Sequence, residues 1–208
     1  MPLINQNALQ NAELHTDPFD YLVVPDFLSP EVLRSVNNDY PAIETAANHA
    51  LENLKYGDAF ATLMTELRAP AFAKALGDRF GMELATLPTT VTVRKFCERT
   101  DGNIHTDHKS KVITVLVYFN EHWDHADGQL RMLRSKDNIE DYAAQVAPLG
   151  GTLLAFRRTD HSWHGHTRFV GERRMVQLNY LDESPFAVAA QRISRFSTHF
   201  MKNVLRIR

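Results

Sequence analysis

From Thr90 onward the chain is a series of short β-branched or alternating runs, most of them too closely spaced for a helix to fit between. They are Thr90–Cys97 (TVTVRKFC), Lys111–Phe119 (KVITVLVYF), Gln129–Leu133, Thr152–Phe156 and Met175–Leu181. Gly, Asn and Asp separate them, with Gly128 and the Gly150-Gly151 pair where strands should turn. Parallel pairing needs long crossover connections, so these runs predict antiparallel strands closed into a barrel or sandwich.

The first half has a different texture. The first dozen residues are polar and read as a loose lead-in. Tyr21–Phe27 (YLVVPDF) predicts a short strand ending in a turn. Ser29-Pro30-Glu31 then opens a helix: serine caps it, proline suits its first turn, and glutamate complements the positive end of its dipole. Val32, Leu33, Val36 and Tyr40 give that helix one apolar face. A second helical stretch runs from Ala61 to Leu67, and Pro70 starts a third that Gly81 stops. The expected organisation is a single domain over 1–208, with a lead-in at about 19–87, a β core at about 88–182 and a tail at 183–208. In the tail Ile193, Phe196, Phe200 and Val204 fall at helical spacing, predicting a terminal helix that packs on the sheet or on a second subunit.

Composition narrows the function classes. A net charge of −2 gives no basic excess to mark a nucleic-acid binder. No run approaches the ~18 apolar residues of a membrane span, so no membrane partner is expected. The N-terminus lacks the basic start and apolar stretch of a secretory signal, and Cys97 is the single cysteine. A cytoplasmic location is the expectation. The ten histidines are more than a structural protein has evident need for.

A His-x-Asp pair on a strand can aim both side chains at one ion, because positions i and i+2 share a face. The chain has four such pairs: His15/Asp17, His105/Asp107, His122/Asp124 and His125/Asp127. His15/Asp17 reads as a turn. His122 and His125 lie in the charged connection EHWDHADG, where solvated loop residues are the default. His105/Asp107 directly precedes the strongest strand of the chain, which can hold the pair rigidly. A third ligand from a distant strand is available in HSWHGH as His161, His164 or His166. Two histidines and one carboxylate leave open positions on an ion, the usual arrangement for iron(II) oxygenases. A closed structural zinc site would need four protein ligands, usually with several cysteines. An open zinc site for hydrolysis uses the same residue types.

The ordered series from His105 to Leu181 resembles the catalytic half of the Fe(II)/2-oxoglutarate dioxygenases, in their prolyl-4-hydroxylase-like branch. The motifs are HTD (His105–Asp107), VYFN (Val117–Asn120), GQL (Gly128–Leu130), PLGGTLLAF (Pro148–Phe156), WHGH around His164 and GERR (Gly171–Arg174). FDYLVVPDFLSPE from Phe19 is similar to the lead-in strand and helix of that branch. The resemblance implies a double-stranded β-helix (jelly roll) with flanking N-terminal helices. It also implies His105, Asp107 and His164 as the metal ligands. Arg173 lies nine residues after His164, the spacing at which the family places its basic residue, so His161 and His166 are left to the loop.

That basic residue anchors 2-oxoglutarate in the family, and a planar guanidinium suits a carboxylate geometrically. Arg173 and Arg174 must leave a strand on opposite faces. With Arg173 inward, Met175, Gln177 and Asn179 follow it, and Val176, Leu178 and Tyr180 face the helices. Some relatives bind 2-oxoglutarate with a tyrosine on the core strand. The aligned position is Val117, with Tyr118 expected to point away, so no such role is assigned.

The resemblance further implies Fe(II), 2-oxoglutarate and O₂, with ascorbate as an expected stimulant, and hydroxylation of a small molecule or a peptide side chain. Related halogenases keep the position of Asp107 small, which favours hydroxylation here. Two alternatives are a divalent-metal hydrolase or isomerase on a similar barrel, and a non-catalytic jelly-roll binding module. The histidine-rich loop 121–128 has no functional reading.

Overall fold

The computed structural model describes residues 2–182; the expected C-terminal helix lies outside the described residues. The first half supplies four α-helices: α1 (Gln6–Asn11), α2 (Pro30–Asn38), α3 (Asp58–Leu67) and α4 (Pro70–Phe80). Strands β1 (Tyr21–Val24) and β2 (His49–Ala50) are interspersed among them. The second half is β3 (Thr89–Cys97), β4 (Lys111–Tyr118), β5 (Leu130–Leu133), β6 (Tyr142–Val146), β7 (Leu153–Arg157), β8 (His164–Gly165) and β9 (Gly171–Leu181). All paired strands are antiparallel. They form a six-stranded sheet in the order β1-β7-β4-β9-β3-β2 and a three-stranded sheet in the order β6-β5-β8. This is the expected jelly roll with its helical flank.

The helix signals act as read from the sequence. Ser29 Oγ accepts from Val32 N, Pro30 sits in the first turn of α2, and Gly81 ends α4 in the left-handed region at φ 63°. The lead-in differs from its expectation. Residues 6–11 form α1, capped by the Asn5 side chain, and Leu9 is fully buried against the other helices. One apolar anchor and a cap suffice there, and polar composition hides both. β6 was missed because YAAQV lacks the β-branched alternation of its neighbours.

Two cores flank the large sheet. One side carries Ile113, Val115 and Val117 of β4 and Val176, Leu178 and Tyr180 of β9 against helix residues such as Phe60, Leu67 and Leu76. The other side carries Leu116, Tyr118, Leu154, Phe156 and Met175 against Leu130, Met132 and Val146 of the small sheet. The candidate site residues lie on the side of this second, inter-sheet space. No helix among the described residues is long and apolar enough to cross a membrane.

Candidate metal centre

His105, Asp107 and His164 come together at the mouth of the inter-sheet space, with one potential ligand atom from each within 4.8 Å of the others. His105 and Asp107 directly precede β4, as expected, and are not themselves part of a strand. Only His105 is paired, through an isolated bridge in which His105 N donates to His164 O and His164 N donates to His105 O, both at 3.0 Å. The backbone bridge therefore sets the two histidines directly, and their ring centroids lie 4.4 Å apart.

Each imidazole is held in one tautomer. His105 Nδ1 meets the carbonyl of Asn103 and His164 Nδ1 meets that of Ser162, both at 2.9 Å. A carbonyl only accepts, so Nδ1 carries the proton and Nε2 keeps its lone pair for a ligand bond. Burial pushes His164 down to about 4, and this outweighs the opposing pull of Asp107, so the ring is neutral near pH 7. It stacks beside Phe156 at 4.6 Å. Asp107, 8% exposed, behaves in the opposite way. Burial alone would raise its carboxyl, but the Lys111 ammonium and hydrogen bonds from Lys111 and Thr114 hold it well below the usual range. Lys111 Nζ donates to Oδ1 at 2.6 Å and Thr114 Oγ1 to Oδ2 at 2.5 Å. Two imidazoles oriented by carbonyls at Nδ1 and a fixed carboxylate form a donor set suited to a divalent cation with open positions.

The other candidates separate cleanly. His161 is exposed in the turn before β8. His166 is buried with Nδ1 on the Thr167 carbonyl, and burial followed by the Arg173 charge pushes it down to about 4. His15 stacks on Tyr21 at 4.9 Å, and Asp17 pairs with Arg134 at 2.6 Å. The loop 121–128 has an aromatic function. Trp123 and His125 pack on Phe169 at 4.7 and 5.1 Å. Gly128, at φ 76°, fits so tightly there that a Cβ would come within 2.8 Å of the Trp123 ring and 3.0 Å of Phe169. A pocket of about 370 Å³ beside this loop is lined by His122, Trp123, Glu172 and Arg174 among others, and by none of the three clustered residues.

Arg173 is 3% exposed and points into the inter-sheet space. Its Nε donates to Gly128 O at 2.8 Å, and its Cζ lies 5.3 Å from the centre of the Tyr118 ring. Arg174 leaves on the other face, beside Glu172 and 5.5 Å from the Tyr40 ring. The expected orientation of Tyr118 is reversed. The pairing of β4 with β9 slips between Lys111 and Ile113. This bulge shifts the alternation by one, so Thr114, Leu116 and Tyr118 face inward and Val117 faces the helices. The Tyr118 hydroxyl and the Arg173 Nη2 are both buried without a well-formed hydrogen bond. Burial raises the phenol, partly offset by the Arg173 charge and by a close contact with its guanidinium. Buried polar atoms without a well-formed partner are uncommon in native proteins.

Residues 93–181 match the 2OG-Fe(II) oxygenase superfamily. No curated protein sequence matches the chain. Among solved structures, a prolyl-4-hydroxylase from Pseudomonas putida is similar at 16% identity and TM-score 0.54, over 86% of this chain and 93% of that one. Prolyl 4-hydroxylases from Phytophthora capsici are similar at 16% identity and TM-score 0.56, over 87% of this chain and 63% of that one. An oxidoreductase of the 2OG-Fe(II) oxygenase family from Burkholderia pseudomallei is similar at 14% identity and TM-score 0.54, over 77% of this chain and 84% of that one. At these identities the likeness speaks for the fold, and the family match speaks for the chemistry. The family match over residues 93–181 and the shared fold together support a non-haem iron oxygenase that works with Fe(II), 2-oxoglutarate and O₂.

Proposed function

We propose that His105, Asp107 and His164 hold the Fe(II), that Arg173 receives the distal carboxylate of 2-oxoglutarate with Tyr118 beside it, and that the enzyme hydroxylates a small molecule or a peptide side chain. The observation that carries this reading is a pair of unfilled needs on one inner face. A fixed His-Asp-His cluster has its Nε2 atoms free, and a buried guanidinium edge and phenol have no good partner. A dicarboxylic 2-oxo acid answers both, with its 2-oxo acid end at the metal and its far carboxylate at Arg173.

The bound metal would supply oxygen activation. The protein's part is positional. The Asn103 and Ser162 carbonyls fix the imidazoles, and Lys111 and Thr114 keep the Asp107 carboxylate ionised and pinned. Gly128 O aims the guanidinium by accepting from Nε, which leaves Nη2 for the co-substrate. Packing of Leu116, Leu154 and Met175 between the sheets excludes water behind it. The family match favours this reading over the hydrolase and the non-catalytic module, neither of which has a use for Arg173.

The test is the anaerobic iron-loaded protein. Adding 2-oxoglutarate should give a weak visible charge-transfer band. The band should be lost in His164→Ala and should need at least tenfold more 2-oxoglutarate in Arg173→Ala. A band that survives His164→Ala unchanged overturns the ligand set.

A further inference from the structure

The bulge at the start of β4 sets where Lys111 points relative to the rest of the strand. In an unbroken strand Lys111 and Ile113 would share a face and Lys111 would point at the helices. Instead Val112 and Ile113 both pack into the helix-side core, and the Lys111 side chain turns to the inner face to reach Asp107 Oδ1 at 2.6 Å. Bulges recur beside active sites because they re-aim a side chain in this way. The lysine side chain is only 11% exposed, an unusual placement for that residue. A backbone irregularity thus brings a buried positive charge to the place where a positive ion is expected.

We propose that Lys111 is a positioning residue that tunes the site toward binding the cation and 2-oxoglutarate together, at the expense of the cation alone. The inference rests on the reading of His105, Asp107, His164 and Arg173 given above. With only the metal present, the ammonium is a like charge beside it and competes for the same carboxylate, so it weakens retention. Once the dianionic co-substrate is bound, the same ammonium becomes a favourable counter-charge. Lys111 and Thr114 hold one carboxylate oxygen each, so Asp107 is disposed to bind through one point and leave neighbouring positions open for a chelating ligand. By reciprocity, whatever tightens the metal when 2-oxoglutarate is bound also tightens 2-oxoglutarate when the metal is bound.

The experiment is Mn(II) titration of the full chain, with and without saturating 2-oxoglutarate, and the quantity read is the ratio of the two dissociation constants. In Lys111→Gln, Mn(II) alone should bind at least threefold tighter, and the ratio should fall at least tenfold. Lys111→Arg, which keeps the charge, should retain the ratio within threefold. A Lys111→Gln ratio within threefold of the parent overturns the proposal, whatever happens to the affinity for Mn(II) alone. That result would leave Lys111 a purely structural ion pair. If Lys111→Gln fails to fold by circular dichroism, Lys111→Met, which keeps the packing of the stem, is read by the same criterion. His164→Ala is titrated in parallel. If it does not weaken Mn(II) binding, the ligand set itself fails. If it does while the Lys111→Gln ratio stays put, only the role of Lys111 fails.

Discussion

Toward the helices, β4 and β9 present Ile113, Val115, Val117, Val176, Leu178 and Tyr180. Toward the small sheet the same two strands present Thr114, Leu116, Tyr118, Arg173, Met175, Gln177 and Asn179. The first face is almost wholly apolar, and its one polar side-chain atom, the Tyr180 hydroxyl, is buried without a partner. The second mixes apolar packing with polar groups. Some of these satisfy one another, as Gln177 Nε2 does Asn179 Oδ1 at 2.9 Å, and some do not. The difference teaches where stability and function are kept apart. Alternation lets one strand contribute to a dry core and to a site without compromise, so damage to the two faces should separate cleanly.

The sharpest break is His164→Ala on the inner face. Losing a ligand costs more than losing the partner that orients one, which already weakens metal sites roughly 10–100-fold. Metal titration should therefore show a loss of at least about 100-fold, with thermal unfolding still cooperative. A metal affinity within threefold of the parent would remove His164 from the site.

The matching break on the helix face is Leu178→Ala. Leu178 is buried at 1% exposure in the larger core, so the cavity should cost about 2–5 kcal/mol in denaturant unfolding. Metal and 2-oxoglutarate affinities of the still-folded protein should stay within threefold. A large change in either affinity would mean that the two faces are coupled through the sheet.

Next in size is the contrast inside GERR. Removing one side of a buried charge-assisted pair costs about 2–5 kcal/mol, so Arg173→Ala should raise the 2-oxoglutarate requirement at least tenfold while metal affinity barely moves. The reverse ranking of Arg173→Ala and Arg174→Ala would put the anchor on the wrong face of β9.

These contrasts show how much was legible in the sequence. Alternation along GERRMVQLNYL assigns the inward and outward residues of β9 as the fold has them, because no slip interrupts that strand between Met175 and Tyr180 in its pairing with β3 and β4; the slip against β3 falls between Glu172 and Met175. The reading of KVITVLVYF put Tyr118 on the wrong face. That reading rested on the family position that aligns with Val117, and a bulge at 111–113, which sets the facing of this strand relative to Lys111, leaves no mark in a run of β-branched residues. Asp107 was found through its spacing to His105, but its two donors, Lys111 and Thr114, depend on that same bulge and could not be read. Leu9 and the cap at Asn5 were invisible for another reason: a six-residue helix with one buried side chain has no periodicity to detect. The packing of Trp123 and His125 on Phe169 joins segments far apart in sequence, and only the fold brings them together.

The smallest expected effect is the most discriminating, and it concerns the residue the sequence misplaced. Tyr118→Phe deletes one oxygen from a ring that is fully buried between the sheets. If the hydroxyl were a structural hydrogen-bond partner, its loss would cost about 1 kcal/mol or more, with an unsatisfied group left behind. Here the hydroxyl has no well-formed partner, so the free protein should lose almost nothing and could gain stability, since an unpaired polar atom is removed from an apolar core. With 2-oxoglutarate present the order should reverse. A phenol donating to the co-substrate carboxylate is worth about 1.5 kcal/mol or somewhat more, so the 2-oxoglutarate requirement should rise about tenfold, less than in Arg173→Ala. Thermal unfolding measured with and without metal and co-substrate reads both effects on one sample. A destabilised free protein with an unchanged 2-oxoglutarate requirement would make Tyr118 a core residue like those on the helix face. It would also narrow the polar gap on the inner face to the Arg173 guanidinium alone.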